Sequence, residues 1–236
     1  VEASPQQRAR MERAYLSGLP LLTSSKAVEE MLRQVGVVDI RPCVHGVDVE
    51  RYRSHVPPSS RSLRIGFPVR TESVKSPEVL QATLEILREQ SRPGMRLWGY
   101  GRPDAPASIV GLLDEFHANP DDTLLASLYS GSAIFGVPSR KEGFGMPAAE
   151  AMAAGCAVVS TDNGGIHTFG HDGVDCRIVP ANDPRELATA ILDLVDDPVR
   201  RNFLAGNAAG SVDFLSWELA GKRLVSALGM DLPPAT

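Results

Sequence analysis

Near the middle of the chain, two short apolar runs flank a glycine-rich loop and a stretch of strong helix formers. The runs at 133–138 and 157–161 predict buried strands, and residues 147–154 between them predict a helix. Pro147 suits the first turn of that helix because its missing N–H would have no intrahelical partner there, and Gly155 is typical of a C-cap. Strand, loop, helix and strand in this order predict a βαβ unit, which requires a parallel sheet.

The same alternation continues on both sides of this unit. Predicted strands lie at 63–69, 95–99, 133–138, 157–161 and 174–179, and predicted helices at 77–90, 106–117, 121–130, 147–154, 184–195, 198–208 and 214–228. Parallel strands are joined by helices that cover both faces of their sheet. The chain is therefore predicted to have an α/β fold with a Rossmann-like parallel sheet and helices on both faces.

A shorter segment of the same kind precedes this sheet. It comprises a polar helix at 4–17, a strand at 19–23, a helix that Ser24 or Ser25 caps and that ends near Val35, and a strand at 37–44. The next residues, 45–62, are polar and irregular, and they include Pro57-Pro58-Ser59-Ser60. This stretch is the best candidate for a linker.

Composition limits the classes of function. The formal net charge is −5 and the pI is near 5.6, which argues against a nucleic-acid partner. No apolar run approaches the roughly 18–20 residues of a membrane span, and no signal peptide is visible. Three widely spaced cysteines favour a reducing compartment, and their spacing from histidine predicts no metal site. We therefore expect a cytoplasmic protein without a membrane span, with peripheral contact to the inner membrane face left open.

The loop before the central helix carries the first candidate site. It reads Glu142-Gly-Phe-Gly-Met-Pro-Ala-Ala-Glu150 and so places two carboxylates eight positions apart. Gly143 and Gly145 are expected to adopt positive φ and let the backbone approach a ligand. Unpaired N–H groups at the start of the helix favour an anion such as a diphosphate, while carboxylates accept hydrogen bonds from hydroxyls. The pattern predicts a site for a nucleotide-linked anion with hydroxyls at both ends.

Two cations follow the first regular strand. Arg70 ends the strand at 63–69, and Lys75 lies in the loop before the next helix. In α/β folds, ligands bind at the carboxyl ends of the strands, where both residues are expected. The guanidinium of arginine can donate two parallel hydrogen bonds to phosphate oxygens, and lysine supplies a point charge, so both residue types suit a diphosphate. The alternative is that they are ordinary members of the 24 basic residues on a solvated face.

These residues resemble those of family 4 retaining glycosyltransferases of the GT-B fold, in particular the C-terminal, donor-binding half. The matching segments are Thr23–Val28, His45-Gly-Val-Asp48, Arg70 with Lys75, Pro138–Glu150, Thr161–Ile166 and Phe214–Glu218. The resemblance implies that residues 1–56 are the end of an N-terminal acceptor domain with its linker, and that residues 57–236 bind the nucleotide-sugar donor. Two departures are that His45 stands where the family usually has Asn, and Ser76 where it has Gly after the lysine.

The resemblance also implies roles for the matching residues. Arg70, Lys75 and Glu142 would form the catalytic set: the two cations neutralise the departing diphosphate, and Glu142 contacts hydroxyls of the donor sugar. Glu150 would bind the ribose hydroxyls, and the N–H groups of Phe144, Gly145 and Met146 would hold sugar and phosphate oxygens. The remaining donor-binding positions implied are Gly143, Pro147, Gly164 and Gly165. The transfer would be retaining and metal-independent, without a cofactor, and neither glutamate would act as a covalent nucleophile.

The partners and competing functions follow from what the chain contains. A GT-B enzyme has two such domains, so we expect an N-terminal domain from the full-length protein or a partner chain, and little sugar transfer by this chain alone. The acceptor (glycan, lipid or small molecule), the base and the sugar stay open. Alternatives are a nucleotide-sugar epimerase or phosphorylase of GT-B fold, and a non-catalytic regulatory subunit. A dinucleotide-binding domain is disfavoured because no Gly-x-Gly-x-x-Gly opens the first βα turn.

Overall fold

A six-stranded sheet, parallel throughout, organises the larger part of the chain. The computed structural model describes residues 4–230. The strands are β1 (Leu21–Thr23), β2 (Ile40–Pro42), β3 (Arg64–Val69), β4 (Arg96–Gly101), β5 (Glu115–Ala118), β6 (Ile134–Val137), β7 (Ala157–Thr161) and β8 (Cys176–Val179). The larger sheet has the order β5-β4-β3-β6-β7-β8, while β1 and β2 form a separate parallel pair.

Ten α-helices are described between residues 4 and 230. They are α1 (Pro5–Tyr15), α2 (Lys26–Gln34), α3 (Val49–Tyr52), α4 (Pro77–Glu89), α5 (Ala107–Val110), α6 (Asp122–Ser130), α7 (Met146–Ala153), α8 (Pro184–Asp196), α9 (Pro198–Ser211) and α10 (Trp217–Ala227). Short 3₁₀ turns occupy Pro58–Ser60, Ser73–Lys75, Ile166–Thr168 and Asp213–Leu215. Within the described part of the chain, no helix has the length and apolarity that crossing a bilayer requires.

Apolar side chains on both faces of the sheet are buried beneath helices. On one face, Phe67, Leu97 and Val159 pack in one cluster with side chains of α4 and α8. On the other, Trp98 and Phe135 pack with side chains of α6 and α7. Fully burying side chains of this size contributes about 1.5–3 kcal/mol each, so the two clusters hold the sheet between its helices. The predicted Rossmann-like arrangement is confirmed.

The order in which strands are added to the sheet reverses between β3 and β6, and a crevice opens at this point. From β3 the chain proceeds outward through β4 to β5, and then returns to build β6, β7 and β8 on the other side. Pairing of β3 with β6 covers only Ile65 and Gly66, whereas β3 pairs with β4 along its whole length. Pro68 has no N–H to donate to a ladder. The loops after β3 and β6 therefore separate at a topological switch point, where α/β sheets bind ligands.

The segment before the large sheet is smaller and separately built. Strands β1 and β2 pair from Leu21 opposite Ile40, and Leu32 of α2 packs beside Ile40 and Val37. Ser25 caps α2 by accepting a hydrogen bond from Val28 N. The segment contacts the end of the chain, since Arg41 Nη1 donates to the Ala227 carbonyl at 2.7 Å. The segment thus contacts α10 as well as the helices and strands of its own unit.

The region predicted as a helix at 106–117 differs from the prediction. Only Ala107–Val110 are helical, and Glu115–Ala118 form β5, which pairs with β4 at the edge of the sheet. Gly111 follows the short helix, and Leu112 and Leu113 then pack against the core instead of continuing it. An edge strand of four residues with one large apolar side chain, Phe116, gives almost no sequence signal, because only half of its surface needs to be buried.

Candidate functional site

A cleft of about 280 Å³ lies at the carboxyl ends of β3 and β6. Most of the residues singled out in the sequence line it together; the full lining is His45, Pro68, Arg70, Lys75, Ser139, Glu142, Phe144, Gly145, Met146 and Pro147. Gly143, Glu150, Gly164 and Gly165 are not among its lining residues. A hollow of about 690 Å³ between β2 and α10 is larger, but it lies away from all of the predicted site residues.

Lys75 and Glu142 form an ion pair across this cleft. Lys75 Nζ donates to Glu142 Oε2 at 2.5 Å, and the two side chains are 26% and 10% exposed. Lys75 ends the 3₁₀ turn after β3, whereas Glu142 lies in the loop after β6. A carboxylate this far buried is costly without a partner. Each of these two predicted catalytic residues therefore neutralises the charge of the other.

Arg70 is the second predicted cation of the cleft, and its positive charge is not neutralised by the ion pair of Lys75 with Glu142. Its guanidinium lies 5.1 Å from the centre of the Tyr100 ring, and Nη1 donates to the Val69 carbonyl at 3.3 Å. Among the residues that the structure describes, it pairs with no carboxylate. An arginine held by an aromatic face, without an anionic partner, is ready to bind an anion.

The start of α7 supplies donors to the same cleft. Gly145, at the N-cap, has φ 101° and so occupies the left-handed region that favours glycine. No side chain caps α7, and within residues 4–230 the N–H groups of Phe144, Gly145 and Met146 have no acceptor. The expectation that Gly143 also adopts positive φ is wrong, because only Gly145 of the two does. One residue in the left-handed conformation suffices to turn the loop into the helix.

The turn after β7 supports the loop that carries Glu142. Glu142 N donates to the Asn163 carbonyl at 2.9 Å. A Cβ on Gly165 would lie 2.4 Å from the Phe144 carbonyl oxygen, so no larger residue fits behind the loop. Gly164 has φ 81° and faces Ala27 of α2. These glycines hold the loop in position, and their predicted contact with a donor stays a prediction.

Glu150 lies one turn inside α7, beside two tyrosines that sequence reasoning did not single out. Tyr129 Oη donates to Glu150 Oε2 at 3.2 Å, and the hydroxyls of Tyr129 and Tyr100 are 2.9 Å apart. Burial raises the pKa of Glu150 to about 7, although the hydrogen bond from Tyr129 and the charge of Arg70 oppose this rise. Both tyrosines are buried and aromatic, and such residues are ordinarily interpreted as core.

Ser76 occupies a conformation that few residues other than glycine adopt. It has φ 51° at the N-cap of α4, directly after Lys75, and its side chain is fully buried. Among residues 4–230, its Oγ has no hydrogen-bond partner. Both features impose a local cost, and they give a physical reason for the glycine found at this position in the family that the sequence resembles.

A second cleft of about 460 Å³ adjoins the first and shares Glu142 with it. It lies between α2 and the loops after β6 and β7, and its lining comprises Ala27, Val28, Met31, Val74, Arg140, Lys141, Glu142, Gly143, Asp162, Asn163 and Gly164. Neither cleft is lined by His117, His167 or His171. His117 Nε2 lies 3.6 Å from Glu115 Oε2, whereas His167 pairs with Asp162 and His171 with Asp175.

Comparison with known protein families places the chain in one of them. Residues 62–197, more than half of the chain, match the family described as "Glycosyl transferases group 1". The chain belongs to this family of glycosyltransferases. The predicted family resemblance is thereby confirmed.

Curated relatives align along nearly the whole length of this chain. The D-inositol 3-phosphate glycosyltransferase of Xylanimonas cellulosilytica is 30% identical over 247 residues, covering 94% of this chain and 59% of that protein. The enzyme of the same name from Frankia alni is 29% identical over 261 residues, covering 98% and 64%. The chain therefore spans about three fifths of the length of these relatives.

Solved glycosyltransferase structures share the fold. Sucrose-phosphate synthase from Thermosynechococcus elongatus superposes with a TM-score of 0.78 at 22% identity, covering 97% of this chain and 63% of that one. Anabaena HepE, solved with UDP and glucose, gives a TM-score of 0.76 at 19% identity, covering 89% and 63%. At such identities the likeness concerns the fold alone, which is the GT-B type.

Proposed function

We propose that this chain is the donor-binding part of a retaining glycosyltransferase that takes its sugar from a nucleoside-diphosphate sugar. The observation that carries the proposal is the convergence of Arg70, Lys75 and the uncapped start of α7 on one cleft, opposite Glu142. Cations and free N–H groups around one cavity fit a diphosphate. UDP is the first nucleotide to test, because Anabaena HepE was solved in complex with it.

The ion pair between Lys75 and Glu142 assigns a sequence of events to donor binding. When the diphosphate enters, Lys75 transfers its hydrogen bond from Glu142 to a phosphate oxygen. Glu142 is then free to accept hydrogen bonds from hydroxyls of the donor sugar. Arg70 approaches the diphosphate from the other side, and Glu150 accepts from the ribose hydroxyls.

The chemical step needs charge stabilisation more than a protein nucleophile. The bond between the sugar and the diphosphate breaks, the acceptor oxygen bonds to the sugar on the same face, and the acceptor proton passes to the departing phosphate oxygen. Negative charge that develops on the diphosphate is stabilised by Arg70, Lys75 and the start of α7. We propose that this set acts without a metal ion or cofactor. Chelator-treated protein should then keep its full affinity for nucleotide.

We propose that residues 1–56 end an N-terminal acceptor domain and its linker, and that residues 57–236 form the donor domain. The cleft between α2 and the loops after β6 and β7 would face the acceptor, since it adjoins the donor cleft at Glu142. The acceptor domain comes from the full-length protein or a partner chain, in the cytoplasm. A closed, water-free cleft needs both halves, so this chain alone should bind donor but transfer sugar poorly.

An anomer-resolved NMR assay tests the proposal. The chain, alone and combined with an N-terminal domain, is incubated with UDP-glucose and other nucleotide sugars, and the configuration of the transferred or released sugar is followed. Retention at the anomeric carbon, with fast turnover only in the combined protein, is the expected result. Inversion would contradict the retaining mechanism, fast transfer by the chain alone would contradict its incompleteness, and epimerised donor would favour the epimerase alternative.

A further inference from the structure

Two buried tyrosine hydroxyls and the carboxylate of Glu150 form a hydrogen-bonded series beneath the proposed donor site. The hydroxyls of Tyr100 and Tyr129 are 2.9 Å apart, and Tyr129 Oη lies 3.2 Å from Glu150 Oε2. The two side chains are 5% and 0% exposed. A phenolic hydroxyl has one proton to donate. When Glu150 is ionised, its carboxylate can only accept, so Tyr129 donates to Glu150 and Tyr100 donates to Tyr129.

The other end of this hydrogen-bonded series contacts Arg70, the residue predicted to bind the diphosphate. The guanidinium of Arg70 lies over the ring of Tyr100, 5.1 Å from its centre. An unbroken series of contacts therefore runs from Arg70 through Tyr100 and Tyr129 to Glu150. Under the proposed function, its two ends contact the diphosphate and the ribose of the same nucleotide.

The surroundings hold Tyr129 in one orientation. Its ring meets those of Tyr52, Trp98 and Phe135 edge to face, with centroids 5.7, 6.1 and 5.0 Å away. A ring packed on all these sides cannot turn to find another partner. The charged groups that act on Glu150 from other elements are Asp122 of α6 and Arg70. Within residues 4–230, Tyr129 is the one side chain that hydrogen-bonds Glu150, and Oε1 is left free for a ligand.

We propose that Tyr129, supported by Tyr100, is a positioning residue that aims Glu150 at the ribose and couples the ribose subsite to Arg70 in the diphosphate subsite. This inference rests on the proposed function. Its consequence is selective: loss of the Tyr129 hydroxyl weakens the recognition of ribose hydroxyls while nucleotide without those hydroxyls binds as before.

The first test compares UDP with 2′,3′-dideoxy-UDP by calorimetry. Wild-type protein should prefer UDP by about tenfold or more, as expected for hydrogen bonds to a charged group. Tyr129→Phe should abolish most of that preference and leave the affinity for the dideoxy nucleotide unchanged. Tyr52→Phe is the matched control, because the buried Tyr52 also packs on Tyr129 but its hydroxyl makes no hydrogen bond within the described chain. An equal loss for both nucleotides would overturn the inference and indicate a merely structural role.

A second measurement does not depend on nucleotide binding. The carboxyl of Glu150 is titrated by ¹³C NMR in wild-type protein, Tyr129→Phe and Tyr52→Phe. Removing the donated hydrogen bond should raise the pKa of Glu150 in Tyr129→Phe, since that bond stabilises the ionised form. An unchanged titration would overturn the link between the two residues even if UDP does not bind. Absence of nucleotide binding with a raised pKa would instead contradict the proposed function and leave the positioning contact standing.

Discussion

Lys75 Nζ and Glu142 Oε2 meet at 2.5 Å across the crevice between the loops after β3 and β6. The two residues are 67 positions apart in the chain. Lys75 lies in the segment that follows β3, and Glu142 lies in the loop that follows β6. The pair lies in the cleft with its two charges neutralised. Under the proposed function, a diphosphate would compete with Glu142 for the lysine, and the carboxylate would be an internal competitor of the donor.

Replacing Glu142 should separate nucleotide binding from sugar handling. Glu142→Gln frees Lys75 from a partly buried ion pair worth about 1 kcal/mol, so UDP should bind roughly fivefold more tightly. Sugar transfer should fall because the carboxylate no longer accepts from the donor sugar. Calorimetry with UDP and a transfer assay on the two-domain enzyme check the two effects. Weaker UDP binding by this variant would contradict competition between Glu142 and the diphosphate.

The stability of the fold should depend on the ionisation of Glu150. Its pKa rises from the ordinary value of 4.5 to about 7 in the folded state, so the folded protein holds a proton that the unfolded chain has released. Stability is then lost as the pH rises from 4.5 to 7, by on the order of 3 kcal/mol.

Glu150→Gln tests this linkage. The variant should be more stable than wild type at pH 8 and equally stable near pH 4.5, because glutamine does not ionise. Urea denaturation at several pH values measures the difference. A constant difference between the two proteins across this range would show that Glu150 ionises normally.

Ser76 offers a gain in stability beside the site. It combines φ 51° with a buried Oγ that has no hydrogen-bond partner in the part of the chain that the structure describes. Ser76→Gly should relieve both and stabilise the protein by about 1 kcal/mol, after the higher entropy of glycine in the unfolded chain is deducted. Ser76→Ala removes only the hydroxyl and should gain less, as thermal unfolding of the three proteins will show. A glycine variant no more stable than the alanine variant would mean that the backbone strain does not exceed the entropy cost of glycine.

Gly165 should tolerate no side chain. A Cβ there would lie 2.4 Å from the Phe144 carbonyl oxygen and 2.9 Å from Glu142 Cβ. Gly165→Ala should displace the loop, destabilise the protein by about 1–3 kcal/mol and weaken UDP binding. Gly206→Ala is the matched control, because a Cβ on this glycine of α9 meets nothing within 4 Å. The control should be slightly more stable than wild type. If Gly165→Ala behaves like the control, the turn after β7 does not support the loop.

Much of the fold and part of the site were readable from the sequence. The alternation of apolar runs with helix formers predicted the parallel sheet, and strand ends predicted that Arg70, Lys75 and the loop from Glu142 to Pro147 would meet. All of these residues lie at one edge of the sheet because the carboxyl ends of parallel strands meet there, and the alternation of strands and helices in the sequence predicts that arrangement. Strand β5 was missed because an edge strand needs little apolar surface.

The contacts within the site were not readable, for a different reason. The pairing of Lys75 with Glu142 and the hydroxyl chain through Tyr100 and Tyr129 depend on side-chain orientation across several elements. No spacing along the chain encodes such an orientation. Buried tyrosines give the same sequence signal whether they fill a core or aim a carboxylate, so their contribution emerged only from the distances.

Calorimetric titration of UDP, GDP, ADP and TDP into the purified chain tests the central claim most directly, with Arg70→Ala and Glu150→Gln beside it and the exposed Arg10→Ala of α1 as control. We expect one of the four nucleoside diphosphates to bind saturably, with a stoichiometry of one nucleotide per chain. Both site variants should weaken it by about tenfold or more, and Arg10→Ala should leave it unchanged. Binding that is indifferent to Arg70 and Glu150, or no binding by any of the four, would contradict a donor site in this cleft.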